Sequence, residues 1–158
     1  MNKEKQKDFA RRVSQANKTQ LVAVTFDIIV EYMDEACKKL EVGDIPEYRS
    51  ELKAAQRFLG ELMSALDYNY PIAMELLRLY EYVQWVLVAS DVSGTDKGLD
   101  SARNVMAKLG ASFTEISAQD ESGAVMENTQ QIVAGLTYGK GTLNEANMTA
   151  GSNRGFLA

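Results

Sequence analysis

LMSALDYNYPIAMELLRLYEYVQWVLVAS, residues 62–90, contains one amphipathic run that stops at Asp67 and a second that starts within about four residues, the pattern of a helical hairpin. In the second arm Glu75, Arg78, Glu81 and Gln84 form a narrow polar line at spacing three. Ile72, Leu76, Leu79, Tyr80, Val83 and Leu87 form one apolar stripe, and Tyr82, Trp85, Val86 and Ala89 form another. A helix with two apolar faces needs two partners. One face is expected to pack in the bundle, and the other to meet a further helix or a peptide from another protein.

The 158 residues are enough for one domain that buries roughly two-thirds of its unfolded surface, and 46% hydrophobic content suits a packed core. No apolar run approaches the ~20 residues of a membrane span, so membrane insertion is not expected. The start, MNKEKQKDFARR, is too polar for a secretory signal, which points to the cytoplasm. A net charge of -5 argues against nucleic acid as a partner, because phosphate binding needs clustered cations. The local basic excess at Lys3, Lys5, Lys7, Arg11 and Arg12 is interrupted by Glu4 and Asp8 and reads as a solvated cap or frayed helix over residues 1–16.

The chain contains no histidine and one cysteine, Cys37. That removes Ser-His and Cys-His nucleophile pairs, imidazole bases, disulfides within the chain and the Glu-x-x-His ligands of di-iron bundles. Carboxylate pairs such as Glu31 with Asp34 fall on the polar arc of their helix and read as solvated. GLTYGKGT, residues 135–142, departs from a phosphate loop in spacing and reads as a connector. The sequons at Asn17 and Asn147 read as chance matches. No enzymatic activity, metal or cofactor is expected.

Reading along the chain, the first long helix opens at Asn17 with Gln20 completing a capping box and ends at Gly43. It carries Leu21, Val24, Ile28, Tyr32, Ala36 and Leu40 as its main line and Val22, Phe26, Ile29, Met33 and Cys37 as a second. The next starts at Asp44, with Glu47 closing a box and Pro46 in the first turn, and runs Tyr48, Leu52, Ala55, Leu59, Leu62 and Leu66 as a coiled-coil seam. The third spans residues 70–89. The fourth begins near Thr95 or Asp96 with Leu99, Ala102, Met106, Leu109, Phe113 and Ile116, and Gly110 within it costs about 1 kcal/mol against alanine. Short connections make neighbours antiparallel. The expected fold is all-α: an up-down-up-down four-helix bundle over residues 1–117. Its core includes Leu52, Leu59, Leu76, Leu79, Val83, Leu99, Met106 and Leu109. A C-terminal extension, 118–158, follows, with a polar break, a short extra helix near 124–136 and a flexible Gly/Asn-rich tail.

LVAVTFDIIVEYMDEA (residues 21–36), Gly43-Asp44 and ELMSALDYNYPIAMELLRLYEY (residues 61–82) together resemble the flagellin export chaperone family FliS, over roughly residues 13–117. The family motif positions are Phe26 and Asp27 in the first helix, the Leu66-Asp67 helix end, and Leu79, Tyr80 and Tyr82, where the family shows Leu-Tyr-Asp-Tyr. Asn17-Lys18 stands where the family has Ser-Pro, Phe26 lacks the family's tyrosine hydroxyl, and Phe113 replaces a late tryptophan.

The resemblance implies a cytoplasmic export chaperone, without cofactor, that binds the disordered C-terminal segment of flagellin. It would thereby prevent polymerisation before export through the flagellar type III secretion system. Export-gate components are further candidate partners, and the chain is expected to be a monomer or weak homodimer. The apolar surface expected to take flagellin is Val22, Phe26, Ile29, Met33, Phe58, Tyr82, Trp85 and Val86. The alternative from the residues alone is a self-associating helical bundle, structural or adaptor in role, that does not bind flagellin.

Overall fold

A computed structural model describes residues 1–125. Among these the structure is all-helical, with α1 Lys3–Gln15, α2 Lys18–Glu41, α3 Ile45–Ser64, α4 Ile72–Ser93 and α5 Leu99–Ser117. The short connections 42–44, 65–71 and 94–98 force α2 to α5 into an antiparallel ring: α2 packs on α3 and α5, and α4 packs on the same two. The added helix lies at the N-terminus. α1 packs against α2 and buries Phe9, Ala10 and Val13, so residues 1–16 are a docked cap. The expected helix over 124–136 and the Gly/Asn-rich tail lie outside the described residues, except for Ala124 and Val125, which are not helical.

Helix ends follow their side chains. At α2, Asn17 Oδ1 accepts from Gln20 N at 2.8 Å, and Gln20 Oε1 accepts from Asn17 N at 3.0 Å. α2 ends in a left-handed Gly43 (φ 75°), with Gly43 N donating to Leu40 O at 3.0 Å and Asp44 N to Lys39 O at 2.9 Å. This arrangement corrects the box expected at α3. Asp44 Oδ1 does accept from Glu47 N at 3.2 Å, but the Asp44 amide is already used closing α2.

α4 continues past Ala89 to Ser93 and stops at Gly94 (φ 67°). α5 starts at Leu99, later than the Thr95 or Asp96 expected, because Gly94 and Gly98 (φ 84°) both take left-handed conformations that a helix cannot continue through. The Thr95 carbonyl accepts instead from the Tyr48 hydroxyl at 2.6 Å and ties this loop to α3.

The core contains Leu52, Leu59, Leu76, Val83, Leu99 and Met106, with Leu109 packed at its edge. Two residues of the expected stripe on α4 do not belong to it: Leu79 and Ile72 are exposed. Ile72 is the first residue of α4, outside the packed length, and Leu79 lies at the edge of the buried arc formed by Ala73, Leu76, Tyr80, Val83, Val86, Leu87 and Ser90.

Gly110 is where α5 meets α2 most closely. A Cβ built there would stand 2.9 Å from Phe26 Cβ. Phe26 in turn stacks on Phe113 (centroids 5.3 Å, 27°) and tilts against Tyr80 (6.0 Å, 53°). Arg103 holds the same two helices through Asp34, at 2.5 and 2.9 Å.

Candidate docking surface

Whether a helix has a face to offer depends on how many neighbours it has. α2 has three, α1, α3 and α5, and no side is left free. Of the apolar residues expected on a binding surface, Phe26, Ile29 and Met33 are fully buried, and Val22 is half-buried against the core. The line read as secondary on α2 is therefore the one facing the bundle interior. The main line is also covered, with Val24, Ile28 and Tyr32 buried. α1 runs along that side: Arg12 pairs with Asp27 at 2.5 Å and Lys5 with Glu31, and Asp27 and Glu31 share one helical face with Val24 and Ile28.

Phe58 on α3 is half-buried, stacked on Tyr32 (5.7 Å, 23°) with the Arg57 guanidinium 5.2 Å from its ring. Val86 is buried at the α4–α5 loop, where Gly98 passes over it. The expected surface thus separates into a buried part (Phe26, Ile29, Met33, Val86), a half-buried part (Val22, Phe58) and an exposed part (Tyr82, Trp85).

The exposed part belongs to a larger feature. Among the described residues α4 has only α3 and α5 as neighbours, so one side of it faces away from the other described helices. Positions 74, 78, 81, 85, 88 and 92 fall on one line of that side, by steps of four and three. Four of them are apolar and exposed: Met74, Trp85 at 69%, Val88 and Val92 at 75%. Arg78 and Glu81 interrupt the line, and Tyr82 and Leu79 extend it on one flank. Tyr68, Tyr70 and Ile72 continue the exposed apolar surface at its N-terminal end. Met74 and Val88 lie within the helix as read from the sequence but belong to neither of its apolar stripes, and Val92 falls beyond the expected end at Ala89. The signal was present, since Trp85 extended by three and then four gives Val88 and Val92.

The motif positions are mostly architectural. Tyr80 is buried, which pushes its phenol up to about 12. Asp67 Oδ1 accepts from the backbone and the side chain of Asn69 at 3.0 and 2.7 Å, forming the α3–α4 turn, and Leu66 packs at the core's edge. Of the motif residues, Leu79 and Tyr82 lie on the exposed side.

A second feature lies at the end of the bundle where α5 finishes. Residues 118–125 double back over the α1–α2 junction. Asn17 Nδ2 donates to the carbonyls of Asp120 (3.0 Å) and Ser122 (3.3 Å), and the Thr19 hydroxyl donates to Asp120 Oδ2 at 2.6 Å. Val125 N donates to Ala16 O at 3.1 Å. Hydrogen bonds from Ser122 and Thr19 hold the Asp120 carboxyl down at about 2. Beside this strap an open cleft of roughly 400 Å³ is lined by Arg12, Gln15, Ala16, Gln20, Ala23, Val24, Thr114 and Ser117.

Chemically, the described residues offer contact surface. No three Asp, Glu or Cys side chains among them converge on a metal-sized site. Burial, reinforced by surrounding carboxylates, raises the Cys37 thiol above its ordinary range and so keeps it protonated. No helix among the described residues is long and apolar enough to cross a membrane.

A family model described as "Flagellar protein FliS" matches residues 1–120. No curated protein matches the chain.

Proposed function

This chain belongs to the flagellar protein FliS family, a family of flagellar export chaperones, and on that basis we propose that it is a cytoplasmic chaperone for flagellin. It holds flagellin's C-terminal segment and keeps it from polymerising before export. The observation that supports this reading is the outward line of α4: Met74, Trp85, Val88 and Val92, flanked by Leu79 and Tyr82, on a bundle whose α2 is covered on every side. A protein terminus that assembles through apolar helical faces can be kept apart by an equivalent apolar face, laid against it as a helix in a groove. α4 offers such a face about 27 Å long at 1.5 Å per residue from Met74 to Val92. Arg78 and Glu81 within the line fix the register of the bound segment through charge without adding much affinity.

Binding of a flagellin C-terminal peptide, measured by calorimetry, tests the proposal. Trp85→Ala is expected to weaken it by roughly tenfold or more, as truncating a central aromatic anchor does. Helicity and thermal midpoint should stay at the parent's values, because the Trp85 side chain is outside the core. Unchanged affinity would remove α4 from the binding surface. A parent protein that ignores the peptide but whose mass rises with concentration would instead establish the self-associating bundle.

A further inference from the structure

We propose that the outward face of α4 also seats a second copy of this chain, packed end for end across a two-fold axis, so that a paired molecule cannot offer that face to another ligand. The proposal rests on the reading of that face as the docking surface and names a second occupant for it.

Two charges inside an apolar line supply the first observation. Arg78 and Glu81 are exposed on the same side of α4 as Met74, Trp85, Val88 and Val92, and among the described residues neither is in an ion pair. They stand close to one helical turn apart and differ in sign. A purely apolar partner would take both charges out of water with nothing opposite them, which is costly. The partner that fits carries an anion opposite Arg78, a cation opposite Glu81 at the same spacing, and apolar residues on either side.

The line itself meets that description when it is reversed. In an antiparallel pair related by a two-fold axis, the same surface lies on both copies and positions oppose one another in reversed order. An axis level with the Leu79–Tyr80 peptide places Arg78 opposite Glu81 of the second copy and Glu81 opposite its Arg78. The same reversal places Met74 opposite Trp85 of the second copy and Trp85 opposite its Met74. Tyr70, exposed just before α4, comes within one residue of Val88 of the second copy. Ion pairs and apolar contacts thus arise together from one register, and a methionine sulfur against an indole is itself a favourable contact. A parallel pair would set Arg78 against Arg78 and Glu81 against Glu81, which like charge disfavours. The antiparallel contact closes at two copies and does not propagate.

Access and size set its strength. Ala73, Leu76, Tyr80, Val83 and Leu87 turn toward the bundle, and Trp85, at 69% exposure, lies on the opposite side of the helix. The exposed parts of Tyr70, Met74, Trp85 and Val88 amount to on the order of 400 Å² per copy, about half of the roughly 800 Å² per partner of a standard interface. Each chain also carries a net charge of -5, which opposes pairing. The pair is therefore transient, forming at high concentration and giving way to a ligand with more contact.

Sedimentation velocity on the full chain tests this. The average mass is expected to climb from one chain at about 10 µM toward twofold near about 1 mM, the range of a weak contact. Arg78→Glu and Glu81→Arg, each alone, set like charges opposite one another and should weaken pairing at least about tenfold. The double variant Arg78→Glu/Glu81→Arg, and an equal mixture of the two single variants, both restore opposite charges and should pair as the parent does. Far-UV helicity should match the parent throughout, because both side chains are exposed. An excess of flagellin C-terminal peptide should return the parent to one chain with peptide bound. One-chain mass at every concentration overturns the inference and leaves peptide binding on α4 intact. Pairing that every variant shares overturns it by moving the contact to another surface, and so does a pair that carries peptide without dissociating. If the variants follow the charge pattern but the parent binds no peptide, the pairing stands and the flagellin reading falls.

Discussion

Gly110 and Asn17 each do something that no other residue at their position would do as well. Gly110 gives up about 1 kcal/mol of helix propensity relative to alanine, but a Cβ there would meet Phe26 Cβ at 2.9 Å, so the missing side chain is what lets α5 lie against α2. Overpacking costs about 1–3 kcal/mol, more than the propensity gained. Gly110→Ala is therefore expected to lower stability by roughly 1 kcal/mol in urea denaturation, and a raised midpoint would show that the Phe26–Phe113 contact yields easily. Asn17 is buried and uses both ends of its amide, the oxygen capping α2 and the nitrogen holding residues 120 and 122. Asn17→Ala should cost about 1 kcal/mol through the cap alone. Asn17→Ser keeps an acceptor for Gln20 N but is too short to reach the strap, so amide exchange at Val125 should accelerate in both variants while the first turn of α2 loosens only in the alanine variant. Asp120 sets the strap's response to acid. Its carboxyl titrates near about 2 in the folded protein and near about 3.9 when free. The charged form is thus the one favoured by folding, and its contribution is fully present above the free value and lost as pH falls through about 2. A carboxyl titration followed by NMR should place the midpoint there, and a midpoint near the free value would mean that Thr19 and Ser122 do not hold the group in solution.

At the scale of the element, α2 and α4 differ in neighbours more than in composition. Both carry two apolar lines, but among the described residues α2 is enclosed by three helices and α4 by two, so the second line is core in α2 and divided in α4, with Tyr82 and Trp85 exposed and Val86 buried. On α3 the seam read from spacing is buried at Tyr48, Leu52, Ala55, Leu59 and Leu62, because one packed side is all that this helix needs, while its last member, Leu66, lies past the helix end at Ser64 and is only partly buried. Leu59→Ala is expected to destabilise by roughly 2–5 kcal/mol, measured by thermal or chemical unfolding; a parent-like transition would misplace the helix register. α1 is held differently. Phe9, Ala10 and Val13 give it a small apolar seat, and Lys5–Glu31 and Arg12–Asp27 are partly exposed ion pairs that salt screens. Raising ionic strength should therefore increase amide exchange in α1 before it affects α3, and uniform exchange across the two would show that α1 is an integral bundle helix.

For the whole molecule, the described chain is a rigid ring of four helices with a cap at one corner and one outward apolar side, and the strap ties the end of α5 to the cap's hinge. Trp85→Ala should accordingly separate function from stability, weakening flagellin-peptide binding while leaving unfolding unchanged, whereas Phe26→Ala should lower stability by about 3–5 kcal/mol because Phe26 fills the α2–α5 contact. If Phe26→Ala unfolded like the parent but failed to bind peptide, the ring would not be the rigid unit its packing implies. What the sequence determined by itself was local: helix starts at Asn17 and Asp44, the stop at Gly43, the turn at Asp67, the seam of α3 and the chemistry excluded by a chain without histidine. Capping bonds, left-handed glycines and helical spacing all act within a few residues, so they are legible without knowing what packs where. Tertiary structure decided the rest. Which line of α2 faces inward, why Gly110 has no side chain, that residues 1–16 dock, that Leu79 and Val92 stay outside, and that Asn17 grips residues 103 and 105 positions away depend on which helices become neighbours, and that is set by contacts between parts of the chain distant in sequence.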